Sequence, residues 1–204
     1  MNVEGPAPPP AAADVPGAGA DRPFYPAAYR SELSLANKLG RVAWGTVYFL
    51  LFRFSPRPLF GWRRLLLRLF GARVAPTAKV YPSARIWAPW NLTLRARTCI
   101  GPQVDCYSVA PIVLDADATV SVRTFLCTAG HDIHDPARPL VTGAIHLHRG
   151  AYVFAEAFIG MGVTVGEGAV VAARAVVVRD VAAGDVVAGN PARPVSKRGL
   201  DAQR

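Results

Sequence analysis

VAPTAKVYPSARIWAPWNL, residues 74–92, carries an aliphatic side chain at every sixth position, and this spacing is the main evidence for the fold. A helix repeats near 3.6 residues and a strand repeats at 2, so a period of six is compatible only with strands. Six is even, and each unit therefore points its aliphatic side chain to the same face. The positions recur along the chain at Val74, Val80, Ile86, Leu92, Ile100, Cys106, Ile112, Val120, Leu126, Ile145, Val153, Ile159, Val165, Val171 and Val177.

A short fixed period predicts a stacked solenoid, in which each hexapeptide forms one short strand and one tight turn. The aliphatic side chains would stack from coil to coil into a continuous core. An antiparallel sandwich with accidental spacing is the alternative, and fifteen positions in phase argue against it. A small residue follows most aliphatic positions by four, where the chain is expected to bend, at Ala78, Ala84, Ala96, Ala110, Ala116, Ala157, Ala169 and Ala175.

Three motifs accompany the repeat: PWNL at residues 89–92, CTAGHD at residues 127–132 and AGNPAR at residues 188–193. With these motifs, residues 73–198 resemble the hexapeptide-repeat acyltransferases, and most of all the colanic-acid type of exopolysaccharide O-acetyltransferase. The resemblance implies an all-β fold built on a left-handed parallel β-helix. It also implies a homotrimer, with acetyl-CoA bound as co-substrate between neighbouring subunits.

The chain divides into four expected segments. Residues 1–30, rich in Pro and Ala, predict a disordered tail. Residues 31–72 predict an N-terminal helical segment, with apolar side chains at helical spacing. Residues 73–198 form the β-helix domain, and residues 199–204 are a tail.

The helical segment has two compatible interpretations. An open β-helix end is a sheet edge that must be covered, so the segment is expected to cap the solenoid. Arginines among Trp, Phe and Leu also suit helices that lie on an anionic membrane surface. The apolar run at residues 42–54 is too short to span a bilayer, which favours contact with the surface over insertion.

The net charge of +9 predicts an anionic partner. No nucleic-acid-binding motif accompanies the arginines, so we expect CoA, an anionic glycan or an acidic membrane surface rather than nucleic acid. The three cysteines form no CxxC pattern, and the N-terminus does not resemble a signal peptide. We therefore expect a cytoplasmic protein. The basic, apolar helical segment adds the expectation of peripheral contact with the inner face of the membrane.

The repeat breaks at residues 127–144, and such an insertion leaves a solenoid as a loop that is often functional. A sugar hydroxyl is a poor nucleophile until a base removes its proton, and histidine is suited to that task. The resemblance implies that His131 in this loop is the general base. Asp105 would orient the imidazole or accept from a sugar hydroxyl, and a simple turn aspartate is its alternative. Tyr107 and Asp132 are the further candidates for binding the acceptor.

The resemblance also implies where acetyl-CoA binds. The pantetheine would lie along the coils, bonded to backbone amides near Ala155 and Ala173. Tyr152 stands where relatives often carry a Trp that stacks against the cofactor. Arg179 and Arg193 are placed for charge-assisted contacts with phosphate, and a solvated surface charge is the alternative for each.

No metal is expected in the transfer step. The loop concentrates candidate ligands at His131, Asp132, His134 and Asp135. Ligands from one short loop, with no partner elsewhere, are weak evidence for a metal site. His146 and His148 alternate with Ile145 and Leu147, which predicts outward-pointing side chains that are solvated or face another subunit.

The sequence thus predicts an acetyl-CoA-dependent O-acetyltransferase that acts on a sugar hydroxyl of an exopolysaccharide or lipopolysaccharide precursor. Transfer would be direct, with His131 as the base. An acetyltransferase for another small acceptor, such as an amino sugar, serine or a xenobiotic, is one alternative. A non-catalytic β-helix with a binding or structural role is the other.

Overall fold

The computed structural model of the protein describes residues 34–199. The tail expected at residues 1–30 lies outside the described residues, as does all but Gly199 of the tail expected at residues 199–204. The described residues form a helical segment followed by stacked parallel coils. The predicted fold class, a parallel β-helix with an N-terminal helical segment, is confirmed.

Two helices precede the solenoid. α1 (Leu35–Val47) begins after Ser34, whose hydroxyl accepts a hydrogen bond from the backbone N–H of Asn37, as expected for an N-cap. It runs on into a π-helical turn at Tyr48–Phe52, and α2 (Phe60–Leu69) follows after a short connection. Within residues 34–199 no helix is both long and apolar enough to cross a membrane.

The strands wind through three parallel sheets, and each of the first five coils contributes one strand to every sheet. The first sheet contains β1 (Arg73–Val74), β4 (Leu92–Leu94), β7 (Ile112–Leu114), β12 (Ile145–Leu147) and β15 (Thr164–Val165). The second contains β2 (Lys79–Val80), β5 (Cys99–Ile100), β8 (Thr119–Val120), β13 (Tyr152–Val153), β16 (Val170–Val171) and β18 (Asp185–Ala188), with β19 (Arg193–Lys197) antiparallel at its end. The third contains β3 (Arg85–Ile86), β6 (Asp105–Tyr107), β9 (Phe125–Cys127), β14 (Phe158–Ile159) and β17 (Val176–Val177).

Three sheets meet at three edges, and the edge between the third and first sheets carries the insertion. There the chain leaves after β9 as an antiparallel hairpin of β10 (Ala129–His131) and β11 (Leu140–Thr142), and it returns at β12. We call this corner of the prism the loop edge. A 3₁₀ turn at Pro89–Asn91 lies on the same edge, between β3 and β4.

The core consists of aliphatic side chains stacked through the centre of the prism. All fifteen predicted positions are buried. Parallel register aligns each of them with its counterpart, as for Ile86 with Cys106 and Cys106 with Leu126. Burial of one such side chain stabilises the fold by about 1.5–3 kcal/mol, so this column is the main source of stability.

The six-residue period slips at strands of the first sheet, after which the next aliphatic position comes two residues late. Strands β4, β7 and β12 are three residues long and bury both their first and their last side chains, as with Leu92 and Leu94. The extra pleat shifts the next corner, so the small residues predicted at Ala96 and Ala116 are only half-buried. Thr98 and Ala118 are buried instead. Ala110, which lies on the loop edge, is also half-buried.

Two buried side chains tie the helical segment to the first coil. The Trp44 indole N–H donates to Ile86 O at 2.6 Å. Arg63 donates through Nε to Val80 O at 2.6 Å and through Nη1 to Pro56 O at 2.8 Å, and burial lowers its pKa. The segment therefore covers the N-terminal end of the solenoid, where sheet edges would otherwise be exposed.

Candidate active site

The hairpin at the loop edge is tied to the coil before it. The N–H of Gly143 donates to Thr128 O at 2.9 Å and closes the base of the hairpin. The Thr128 hydroxyl donates to Tyr107 O at 2.7 Å and accepts from the N–H of Ala110 at 2.9 Å. Because both backbone groups belong to the solenoid, this buried hydroxyl determines where the hairpin starts.

Two glycines face the turn that follows the hairpin. A Cβ on Gly143 would lie 2.5 Å from Gly162 N, so no side chain fits there. A Cβ on Gly130 would lie 3.5 Å from the flexible Met161 side chain, which is an ordinary contact. Close approach of the hairpin to the next coil therefore depends on Gly143 and not on Gly130.

His131 ends β10 and is exposed. Its Nδ1 lies 2.8 Å from Arg138 O. A carbonyl oxygen only accepts, so the proton of the neutral ring is on Nδ1 and the lone pair is on Nε2. Nε2 can therefore take a proton from a hydroxyl within reach. The neighbouring Asp132 shapes the loop, since its Oδ1 accepts from the backbone N–H of His134 at 2.9 Å.

Aromatic side chains border the hairpin on the side of the N-terminal coils. Tyr107 pairs in register with Cys127, in the strand from which the hairpin starts. Trp87 packs edge-to-face on Tyr107, with ring centroids 5.5 Å apart, and the Arg41 guanidinium lies 4.4 Å over the Trp87 ring. We call the half-buried pair Trp87 and Tyr107 the aromatic surface.

Asp105 points outward from β6, two positions before Tyr107. Its Oδ2 lies 3.3 Å from Arg85 Nη1, and 32% of its side chain is exposed. Burial raises the pKa of Asp105, and the positive charge of Arg85 opposes part of that rise. Since the carbonyl of Arg138 already holds Nδ1 of His131, the orienting role of Asp105 stays a prediction.

The two arginines predicted to contact phosphate lie toward the C-terminal coils, Arg179 on the loop edge and Arg193 at the start of β19 in the second sheet. The turn at Met161 packs against the hairpin, and Arg179 stands on the corresponding turn of the next coil. Stacked coils lie about 4.8 Å apart, so Arg179 is roughly 10 Å beyond the hairpin. Arg179 and Arg193 line one cavity of about 180 Å³ together with Asp180 and Asp185. The structure thus brings these two arginines together.

The other predicted cofactor residues lie elsewhere on the prism. Ala155 and Ala173 occupy the edge between the second and third sheets, where the N–H of Arg174 donates to Ala155 O at 2.9 Å. Tyr152 points outward from the second sheet. Within one chain, these three residues do not share an edge with His131.

The candidate ligands of the loop do not converge on one point. Among residues 34–199, three or more His, Cys, Asp or Glu side chains bring their ligand atoms together only at Asp115, His146 and His148, on the first sheet. His146 and His148 are partly exposed, as the alternation predicted, and both contact Asp115.

A sequence relative settles the family. No family model matches the chain. The chain is 34% identical over 155 residues to the Escherichia coli K12 protein named as colanic acid biosynthesis acetyltransferase WcaF, and the match covers 76% of this chain and 85% of that protein. The chain belongs to the colanic-acid acetyltransferase family.

Solved structures of hexapeptide-repeat and sugar acetyltransferases share the fold of this family member. A hexapeptide-repeat-containing acetyltransferase from Vibrio cholerae O1 biovar eltor, complexed with acetyl-CoA, has a TM-score of 0.73 at 24% identity, over 83% of this chain and 92% of its own. A galactoside acetyltransferase in complex with CoA has a TM-score of 0.75 at 19% identity, over 82% and 84% of the two chains.

Sequence reasoning missed two features around the site of this colanic-acid-type acetyltransferase. Trp87 was detectable, because it follows the inward-facing Ile86 and must therefore point outward. Arg149 and Arg198 line a hollow of about 360 Å³ beside Tyr152. They are far apart in the chain, and only the stacking of coils brings them together.

Proposed function

We propose that the protein transfers an acetyl group from acetyl-CoA directly to a hydroxyl of a sugar in an exopolysaccharide or lipopolysaccharide precursor, with His131 as general base. The observation that carries the proposal is the 2.8 Å contact of His131 Nδ1 with Arg138 O, which leaves Nε2 as the basic nitrogen. The colanic acid biosynthesis named for the relative supports a sugar acceptor, as does the galactoside named for the structural neighbour.

The proposed reaction needs no acyl-enzyme. Nε2 of His131 takes the proton of the hydroxyl as its oxygen attacks the thioester carbonyl carbon. A C–O bond forms, and the C–S bond breaks when the tetrahedral intermediate collapses. The imidazolium then returns the proton to the departing thiolate, so CoA leaves as a thiol. A base in this role contributes typically about 10²–10⁴ in rate.

The acceptor would bind on the aromatic surface beside the hairpin. The rings of Trp87 and Tyr107 offer apolar contact to the C–H face of a sugar. Asp105 lies on the same face of the third sheet as Tyr107 and can accept hydrogen bonds from hydroxyl groups. Asp132 would contribute from the hairpin itself.

Acetyl-CoA would extend from His131 toward the C-terminal coils, with its phosphates at Arg179 and Arg193. Two charged guanidinium groups around one cavity support this assignment. Contacts to the pantetheine from Ala155 and Ala173, and stacking by Tyr152, would then have to come from another copy of the chain, because these residues lie away from the loop edge. A homotrimer meets this requirement, since cyclic symmetry places different edges of neighbouring prisms together.

The helical segment would dock the trimer peripherally on an anionic membrane. The segment exposes eleven large apolar side chains, and extensive exposed apolar surface marks an interaction site. Arg53, Arg57 and Arg68 are exposed in the same segment. Each basic residue near an anionic surface adds about 1 kcal/mol, and three copies on one trimer would strengthen a weak contact by avidity. The exposed apolar side chains are Leu35, Leu39, Val42, Phe49, Leu50, Leu51, Phe54, Leu59, Trp62, Leu65 and Leu69.

Flotation with vesicles that contain or lack anionic lipid, at low and raised salt, tests the docking. We expect the protein to float with anionic vesicles at low salt. The double variant Leu50→Ser/Phe54→Ser should stay in the soluble fraction, whereas the control Val195→Ser, exposed at the other end of the solenoid, should float like the wild type. Wild-type protein that remains soluble in all four conditions would reduce the segment to a cap.

An assay of thiol release from acetyl-CoA over a panel of acceptors tests the activity. The panel contains glycosides of neutral hexoses, deoxyhexoses and uronic acids, together with amino sugars and serine. We expect release with glycosides and a product whose acetyl group is lost in mild alkali, as an ester is and an amide is not. Acetylation of amines alone would favour the other small-acceptor enzymes. Binding of acetyl-CoA without turnover on any acceptor would favour a non-catalytic role.

A further inference from the structure

Two histidines and one carboxylate meet on the outer face of the first sheet, on a different face from the aromatic surface. His146 Nε2 lies 2.9 Å from Asp115 Oδ2, and His148 Nδ1 lies 3.3 Å from the same oxygen. The two imidazole centroids are 4.1 Å apart. We call these three residues the His–Asp cluster.

The backbone holds the cluster rigidly. His146 and His148 are two positions apart on β12 and its end, so both side chains leave the same face. Ile145 and Leu147, which alternate with them, are fully buried in the core. The N–H of Asp115 donates to Leu147 O at 2.9 Å, which sets the carboxylate beside the histidines. The ligand atoms are therefore placed by paired strands and not by a mobile loop.

The spacing suits a tetrahedral ion. Zinc bonds of about 2.0–2.2 Å to nitrogen and oxygen place neighbouring ligand atoms roughly 3.3–3.6 Å apart. The three ligand atoms of the cluster all lie within 4.8 Å of one another, and the two contacts to Asp115 Oδ2 are already near that spacing. Small rotations of the side chains would lengthen the shorter contact, between His146 Nε2 and Asp115 Oδ2, to that spacing.

A fourth side chain orients the carboxylate. Arg95 Nε donates to Asp115 Oδ1 at 2.8 Å, which leaves Oδ2 toward the histidines. Partners of this kind around a metal site fix the ligand's orientation. Arg95 is also a cation, but 65% of its side chain is exposed, so water screens most of its charge.

We propose that Asp115, His146 and His148 bind a divalent transition-metal ion of the zinc class, with a fourth position open to water. The ion would replace the protons that now link the imidazoles to Oδ2. Asp115 follows β7, His146 lies on β12 and His148 directly follows it, and these two paired strands belong to the coils before and after the hairpin. The ion clamps these coils together directly behind the insertion. The ion would stabilise the fold and take no part in acetyl transfer, because the proposed transfer site lies on the loop edge.

Equilibrium dialysis of the metal-stripped full chain against micromolar Zn²⁺ tests the proposal without reference to acetyl transfer. We expect one ion per chain, and a Tm increase of roughly 5–10 °C when free zinc exceeds the dissociation constant about 100-fold. Co²⁺ in place of Zn²⁺ should give the intense visible bands of a four-coordinate ion.

Variants locate the ion. His146→Gln and His148→Gln change partly exposed side chains, so both should fold, and each should lose the stoichiometric zinc and the Tm increase. His134→Gln removes an exposed histidine of the hairpin and should keep both. No stoichiometric binding to the wild type, or undiminished binding by His146→Gln and His148→Gln, would overturn the proposal and leave the cluster as a hydrogen-bonded network only.

Discussion

Replacing Gly143 by alanine should displace the hairpin that carries His131. The new Cβ would lie 2.5 Å from Gly162 N and 2.8 Å from Gly162 Cα, both of which are backbone atoms that cannot rotate away. An ordinary contact begins at 3.4 Å, so the hairpin or the facing turn must move by nearly 1 Å. Because the N–H of Gly143 also closes the base of the hairpin onto Thr128 O, the movement reaches the loop directly.

The magnitude follows from two effects of this displacement. Overpacking of this kind costs about 1–3 kcal/mol. A protein of this size loses roughly 2–4 °C in Tm for each kcal/mol, so we expect Tm to fall by about 2–12 °C. Misplacement of a catalytic group by about 1 Å can lower the rate 10²-fold. The expected kcat loss is therefore of that order, although Gly143 contacts no reacting atom.

Gly130→Ala is the matched control within the same hairpin. Its Cβ would meet only the flexible Met161 side chain at 3.5 Å, so Tm and kcat should change little. Thermal unfolding and the initial rate of thiol release, measured side by side for both variants, give the comparison. Equal Tm and kcat for Gly143→Ala and Gly130→Ala would show that the packing of the hairpin on the next turn does not position His131.

Three further predictions concern cofactor, assembly and charge. Arg193→Ala should raise the KM for acetyl-CoA more than it lowers kcat, because a remote phosphate contact stabilises ground and transition states alike; an equal loss in kcat and kcat/KM would assign Arg193 to the chemistry. Sedimentation velocity at micromolar concentration should show a trimer, and a monomer alone would contradict the shared site. Burial raises the pKa of Asp105 in the folded state, so the wild type loses stability as the pH rises from about 4 through that raised value. Asp105→Asn should therefore gain stability relative to the wild type between pH 4 and pH 7 in denaturant titrations, and a relative loss over that interval would contradict the sign.

The fold could be predicted because one feature of the sequence, the six-residue spacing of aliphatic side chains, places its core. Every in-phase aliphatic position is buried, and even the phase slips have a structural origin, the second buried side chain of strands such as β4 and β7. The six-residue spacing did not predict where the chain turns after each slip of the period. A strand with one more pleat moves the bend by two residues, as at Ala96 and Thr98.

The candidate site was predictable only where it is local in sequence. The interruption of the repeat located the hairpin and His131, because a solenoid accommodates an insertion only as an outward loop. The pairing of Asp115 with two histidines beyond the hairpin depends on how many residues complete each coil. That number changes at the insertion, so the contact of Asp115 with the histidines could not be read from spacing alone. The approach of Arg193 to Arg179 depends on the antiparallel return of β19, which the six-residue period does not predict.

The kcat of the variant His131→Ala shows whether His131 is the general base. The side chain is exposed, so the variant should fold and keep its KM for acetyl-CoA. We expect kcat for thiol release to fall by about 10²–10⁴, the usual contribution of a general base. His134→Ala, an exposed histidine of the same hairpin, should retain wild-type turnover. Turnover by His131→Ala equal to that of the wild type would remove His131 from the mechanism and contradict the account.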